Sequence, residues 1–379
     1  MKGIAITHKG LEDIAALEIK EIIKASSEIK ETSVIFNLKK IEELCTLAYK
    51  AQSLIRVIYL FDSFKVKDDE KSILDKIKKS VEKIDLTEWL DEEKTFRVSC
   101  KHVENEISSQ EIEKETGAII IDKIQQTSKY QQKVDLDNPD IIFYIYIYKN
   151  QCYLGIDFCG FDLSKRDYKV FSNPADTKGT ISYSVLRIAG YKKSDTLLDP
   201  FCSSGTIPIE AALFKMGSVN FYRKDRFAFL KLRQFENHDF KKLFNHDFNE
   251  EKPKILASDE RLFNMRAAKK NAKIASVNKM IEFSKIDVDW LDTKYEKQNI
   301  DLIATKPIFL KYELDKTKKL YDGFFYGAKY ILKDKGKIAI ISRGDDLIFE
   351  LSKKHGFNIC HERIVFQGDQ QLKITIFQR

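Results

Sequence analysis

Apolar positions along the chain change period several times, and each change marks an element. In residues 1–60, GIAIT reads as a strand and 11–24 as an amphipathic helix with apolar residues every three to four positions. VIFNL follows as a second strand, 41–51 as a second helix and SLIRVIYLFDSF as a third strand. This order predicts a small split α+β layer of ferredoxin-like type. From about residue 65 the pattern restarts, with a helix over 73–84, a strand over 95–101 in which Phe96, Val98 and Cys100 alternate with polar partners, and a helix over 109–125. Two strands at 141–149 and 151–160 are joined by a tight Lys149-Asn150 turn. Their tyrosines and phenylalanines admit two readings, as platforms for stacked bases or as the buried face of a sheet.

The second half is organised around residues 196–213, TLLDPFCSSGTIPIEAAL. A buried strand ends at Asp199, Cys202 to Gly205 form a turn that demands small residues, and a helix follows with Thr206 as its expected cap and Pro208 in its first turn. An aromatic and basic insertion at about 217–252 reads either as an RNA-binding surface or as an amphipathic helix packed on its domain. Then KILASDE ends a strand at Asp259, IEFSKID ends one near Asp287, and DLIATKPIF ends one at Thr305. Helices over 261–275, 314–332 and 347–355 alternate with these and with KIAIIS, and FNICHERIVF and QLKITIFQ close the chain as an antiparallel pair. The fold class is therefore α/β: a C-terminal doubly wound Rossmann-like sheet with an antiparallel ending, whose cofactor crevice lies at the carboxyl ends of the strands.

Acids recurring at those strand ends suit an adenosine-bearing cofactor, because one carboxylate accepts both ribose hydroxyls and another orients the adenine amino group. No GxGxxG follows the first strand of this half, which weakens a dinucleotide-dependent oxidoreductase. Charge adds a second constraint. Residues 1–160 carry 24 Lys and Arg against 29 Asp and Glu, net −5, whereas the remainder is +12. A polyanionic substrate benefits from such a surplus beside the cofactor turn. The six cysteines include no CxxC pair, so neither a zinc site nor a disulfide framework is expected. The N-terminus MKGIAITHKG lacks an apolar signal core, and no run approaches the roughly 20 apolar residues of a membrane span. A cytoplasmic protein with no membrane and no metal partner is expected.

Longer stretches carry a resemblance. TFRVSCKHVENEISSQEIEKETGAIIID, VDLDNPDIIFYIYIYKNQCYLGIDFCG and LSKRDYKVFSNPAD together resemble a THUMP domain preceded by its ferredoxin-like partner. LLDPFCSSGTIPIEAAL is similar to DPFCGSGTIPIEAA of the THUMP-linked class I S-adenosylmethionine-dependent RNA methyltransferases of the tRNA guanine-N2 type, and SDERLFNMRAAKKNAKIASV resembles their second motif. The resemblance implies a ferredoxin-like domain over 1–64, a THUMP domain over 65–165, a linker and connecting helix over 166–190 and the methyltransferase domain over 191–379. It implies S-adenosylmethionine as cofactor and structured RNA, above all tRNA, as partner. By position, Asp199, Pro200, Cys202, Ser203, Ser204, Gly205 and Thr206 would surround the methionine part, Asp259 and Glu260 the ribose, Asp287 the adenine, with Thr305 at the next strand end. Lys165, Arg166 and Lys169 at the domain junction are the expected RNA contacts.

Two positions depart from the family pattern. Where relatives read DVIVTNPPY, this chain has DLIATKPIF, so Lys306, Pro307 and Phe309 occupy the catalytic motif. Phe309 can still stack on an extruded base. An ammonium has three donors and no acceptor, so Lys306 cannot accept a hydrogen from a target amino group as the family's Asn does. This leaves an active enzyme that relies on backbone carbonyls, a variant in which Lys306 acts as a base toward another acceptor such as a ribose hydroxyl, or a catalytically inactive RNA-binding protein on the same scaffold. Ser203 replaces a glycine, and serine fits there only with negative φ or at a cost of roughly 1–2 kcal/mol.

Overall fold

The computed structural model describes residues 1–67, 69–102, 108–173, 176–217, 225–244, 254–310, 312–343 and 346–379, the side chain of His102 excepted. Fifteen strands among these residues form two sheets. The first contains β1 (Lys2–Ile6), β2 (Ser27–Lys30), β3 (Ser33–Asn37), β4 (Arg56–Lys65), β5 (Thr95–His102), β6 (Lys133–Val134), β7 (Ile141–Tyr148) and β8 (Gln151–Asp157). Their order is β2-β3-β1-β4-β8-β7-β5-β6, so β4 pairs with β8 and the ferredoxin-like and THUMP strands make one continuous sheet. The polar β2, absent from the hydrophobic pattern, is an exposed edge strand.

Every residue of β7 is buried, which explains why IIFYIYIY reads as continuously apolar: helices cover one face, and the other carries a tyrosine cluster. Tyr144, Tyr146, Tyr148 and Tyr153 are each less than a tenth exposed. Tyr146 shares a 2.6 Å hydrogen bond with Thr32, and Tyr148 donates to Glu31 at 2.8 Å. They are core residues, so the base-stacking reading of this strand pair fails.

The second sheet has β9 (Leu197–Asp199), β10 (Ile255–Asp259), β11 (Glu282–Lys285), β12 (Ile300–Thr305), β13 (Leu332–Ser342), β14 (Asn358–Gln367) and β15 (Gln370–Gln378). The order β11-β10-β9-β12-β13-β15-β14 is parallel through β13, with β15 antiparallel to both β13 and β14. The expected doubly wound sheet with an antiparallel ending is present. Strand order reverses beside β9, which opens the crevice between β9 and β12.

The two sheets are tied together by buried polar groups. Glu210, on the helix Thr206–Met216, accepts from Arg166 Nε at 2.8 Å and Nη2 at 3.0 Å, from Tyr168 at 2.8 Å and from Gln52 at 2.8 Å. The Arg166 and Glu210 side chains are fully buried. A buried ion pair of this kind holds only if its remaining lone pairs and donors are satisfied, and here they are. Arg166 is therefore a latch between domains and no part of an RNA-facing surface, which corrects the expected role.

The insertion also crosses between the halves. Its described part forms short turns, Ala228–Lys231 and Arg233–Phe235, and a four-residue helix, Lys241–Phe244, in place of one amphipathic helix. Phe227, Phe229, Leu232 and Phe235 are buried in the core of the N-terminal sheet, and Ala228 N–H donates to Cys159 O at 3.1 Å. Packing wins over RNA binding for these aromatics, although the partner is the other domain. Residues 218–224 and 245–252 of the insertion, and Pro174 of the expected Asn173-Pro174 break, lie outside the described residues.

Candidate active site

A cleft of about 460 Å³ opens at the carboxyl ends of β9, β10, β12 and β13, lined among others by Asp176, Asp199, Ser203, Thr206, Asp259, Lys306, Pro307, Phe309 and Arg343. Asp199 lies at its floor. Thr305 Oγ1 donates to Asp199 Oδ1 at 2.6 Å and Phe201 N–H donates to the same oxygen at 3.2 Å. Burial nonetheless pushes the Asp199 carboxyl up to about 7, with Asp259 and Asp176 adding to the rise and the two donors opposing it.

The turn after Asp199 is set by close packing. Gly205 has φ +86°, and a Cβ there would stand 2.9 Å from Cβ of Ala268 on the helix Leu262–Ile274. Gly205, and not Thr206, is the N-cap of the next helix: its backbone is left-handed, Thr206 is the first helical residue, and no side chain caps the end. Ser203 has φ +48°, so the turn absorbs the cost of a serine in the left-handed region. Ser203 N–H is held by Asp259 Oδ2 at 3.0 Å. The buried hydroxyls of Ser203 and Thr206 have no hydrogen-bond partner among the described residues.

Asp259 ends β10 and is almost fully buried. Its Oδ1 accepts from Arg261 N–H at 3.0 Å and Asn264 Nδ2 at 2.9 Å. Beside it a narrow pocket of about 20 Å³ is walled by Phe201, Glu260, Ile286, Val288, Ile308 and Leu320, with Asp287 at its rim. Asp287 caps a short turn by accepting from Asp289 N–H at 3.1 Å. Glu260 is exposed and sits 3.4 Å from Arg261. The donor set fits an S-adenosylmethionine molecule: two unpartnered hydroxyls at a helix N-terminus for a carboxylate, buried carboxylates for hydroxyl and ammonium donors, and a cleft of about 460 Å³ with Phe201 and Ile308 in its lining.

The opposite end of the cleft is cationic. Lys306 follows Thr305 directly, and burial, Arg343 and Lys169 lower its pKa, whereas Asp176 acts in the other direction. Pro307 is half-buried, and Phe309, 51% exposed, presents its ring at the mouth. The loop is pinned by the helix Leu314–Ile331, through Tyr321 OH donating to Ile308 O at 3.1 Å and Leu310 N–H donating to Thr317 Oγ1 at 3.1 Å. Lys169 turns inward, donating to Thr177 O at 2.8 Å and lying 3.5 Å from Asp176. Lys165 is exposed. Asp176, Asn264 and Arg343 escaped the reading of the sequence. Asn264 has a recoverable signal, five residues after the ribose acid in the second motif, whereas Asp176 and Arg343 have no local one.

Known proteins resemble this chain in both of its halves. Residues 166–373 match the RMKL-like methyltransferase domain family, and residues 71–157 match the THUMP domain. A tRNA (guanine(6)-N2)-methyltransferase of Methanocaldococcus jannaschii is 30% identical over 367 residues, covering 95% of each chain. The enzyme of the same name from Archaeoglobus fulgidus is 29% identical, over 97% of this chain and 90% of its own. Among solved structures, a putative methyltransferase complexed with SAH aligns with a TM-score of 0.81 at 18% identity, over 100% of this chain and 97% of its own. TrmN from Thermus thermophilus aligns at 0.73 and 19%, over 100% and 99%. These two likenesses establish a shared fold over the full length.

Proposed function

From the premise that this chain belongs to the RMKL-like methyltransferase family and carries a THUMP domain ahead of its catalytic domain, we propose that it methylates the 2-amino group of a guanine in tRNA, guanine 6 in particular. The observation that carries the reading is the pairing of buried strand-end acids on the cleft floor with an aromatic, Phe309, at its mouth. When bound, S-adenosylmethionine supplies an electrophilic methyl group. Ser203, Thr206 and the helix N-terminus would hold the methionine carboxylate, Asp199 would face the cationic part, Asp259 would accept from the ribose, and the adenine would lie toward Asp287. Phe309 stacks on the extruded guanine and keeps it in the cleft. The same reading puts the protein in the cytoplasm, with its tRNA. Among the described residues no helix is long and apolar enough to cross a membrane.

The deciding experiment incubates the purified chain with radiolabelled S-adenosylmethionine and bulk tRNA from a strain lacking its gene, then maps the label by nuclease digestion and mass spectrometry. Label in N2-methylguanosine is the expected result. Binding of tRNA with no transfer would instead favour the non-catalytic RNA-binding alternative. Lys306→Asn separates the two roles open to the lysine: preserved or higher guanine-N2 transfer is expected, and complete loss would show that the ammonium itself is required.

A further inference from the structure

Lys306 leaves a gap in the site's chemistry. A guanine amino group presented for methylation must give a hydrogen to an acceptor, so that its nitrogen lone pair turns toward the methyl donor, and a lysine side chain has none to offer. Asp199 takes both its hydrogen bonds, from Thr305 and Phe201, on Oδ1, but it stands on the buried floor that the proposed function gives to the cofactor, and Asp259 beside it takes three donors. Thr177 shares its hydroxyl with Ser182 at 2.7 Å, and Tyr321 gives its own to Ile308 O.

Asp176 shares the one-sided pattern of Asp199 but comes from another part of the chain. It belongs to the connection between the domains, yet it lines the same cleft as Lys306, Pro307 and Phe309. All of its hydrogen bonds fall on one oxygen: Oδ2 accepts from Asn173 N–H at 2.9 Å and from Ser204 Oγ at 2.5 Å, and the Lys169 ammonium stands 3.5 Å from it. Oδ1 takes no hydrogen bond among the described residues. The carboxylate is thus fixed in orientation by one oxygen and open on the other, which is the arrangement a preorganised acceptor requires.

Resting on the function proposed above, we propose that Asp176 is the hydrogen-bond acceptor for the amino group of the target guanine, a catalytic residue supplied by the interdomain connection where Lys306 lacks an acceptor. The donors at Oδ2 make a specific demand on substitution. In Asp176→Asn the amide oxygen must face Asn173 N–H and Ser204, which leaves the NH2 group facing the cleft, donor against donor. An isosteric Asn is therefore as harmful here as Ala.

The test compares wild type, Asp176→Ala and Asp176→Asn on a tRNA transcript carrying guanine or inosine, which lacks the 2-amino group, at the methylated position. Both variants are expected to lose at least about 100-fold in kcat while melting within a few degrees of wild type and binding S-adenosylmethionine within about twofold by calorimetry. In the cofactor-loaded protein, wild type should bind the guanine transcript about tenfold tighter than the inosine transcript, and both variants should lose that preference. A variant that keeps the preference, or keeps its kcat, overturns the inference. A fall of tenfold or more in cofactor affinity also overturns it, because Asp176 would then serve the cofactor ammonium. Absence of transfer by the wild type would instead remove the proposed function, and this assignment with it.

Discussion

The two ends of the cleft are assembled in opposite ways. At the cofactor end, Asp199 and Asp259 come from the ends of adjacent parallel strands, are buried, and hold donors from their own following turns. At the end that the proposed function gives to the base, the groups arrive from distant segments: Lys169 from the connection, Lys306 to Phe309 from the loop after β12, and Arg343 from the end of β13, with Asp176 of the connection reaching back to Ser204 in the cofactor turn. The first end is acidic and closed, and suits a small cationic ligand. The second is cationic and opens to solvent through Phe309, which suits a base arriving on a polyanion. Cofactor binding and base handling should therefore fail independently.

The largest separation should come from Asp259→Ala. It removes the proposed ribose acceptor and releases Ser203 N–H and Asn264, so cofactor affinity should fall about 100-fold, with tRNA affinity within about twofold of wild type. Calorimetry and filter binding on one preparation read both numbers, and a parallel loss of tRNA binding would show that the two ends are coupled. Phe309→Ala is the mirror experiment. Loss of a base-stacking ring costs about 1–3 kcal/mol, so kcat/KM for tRNA should drop roughly 5- to 150-fold while the cofactor constant stays put.

The asymmetry also explains what could be read from the sequence. The cofactor end is written in contiguous segments, 196–213 and 255–275, because a strand, its turn and the next helix form one local unit whose residue types are dictated by sterics. The doubly wound sheet and its antiparallel ending followed from the same periodicities. Arg166 was misjudged because its partner Glu210 stands 44 positions away, and a charged residue at a domain junction looks the same in sequence whether buried or exposed. The tyrosines of β7 are buried among Ile4, Ile6, Ile58 and Leu60 of strands that lie more than 80 positions earlier in the chain. Ser203 presented a choice between negative φ and strain that only the backbone decides.

A smaller effect tests the electrostatics of the floor. Asp199 is raised to about 7 in the folded chain, above its unfolded value of about 4, so its contribution to stability is complete below pH 4 and is lost as pH rises through 7. A cationic ligand prefers the ionised form, and binding below pH 7 must therefore expel a proton. Cofactor affinity should rise about tenfold between pH 6 and pH 8 and then level off, and calorimetry in buffers of different ionisation enthalpy should register proton release at pH 6. Asp199→Asn should abolish the pH dependence. An unchanged slope in that variant would assign the proton to another group.

The smallest effect concerns the one residue at which the cofactor end departs from its family. Ser203 holds φ +48° and buries a hydroxyl that no described residue satisfies, so the turn carries both a backbone cost and a polar group awaiting a partner. Ser203→Gly relieves the first and deletes the second. Without cofactor the variant should be more stable by about 1 kcal/mol, set by the left-handed penalty and partly offset by the greater entropy of an unfolded glycine. With cofactor the sign should reverse in part, because a hydroxyl that gains a hydrogen bond from the ligand contributes about 1 kcal/mol that glycine cannot. Thermal melts of both proteins with and without S-adenosylmethionine give the four values needed. If glycine stabilises the free and the loaded protein equally, the Ser203 hydroxyl has no contact with the cofactor, and the serine is a strain that the closed end of the cleft merely tolerates.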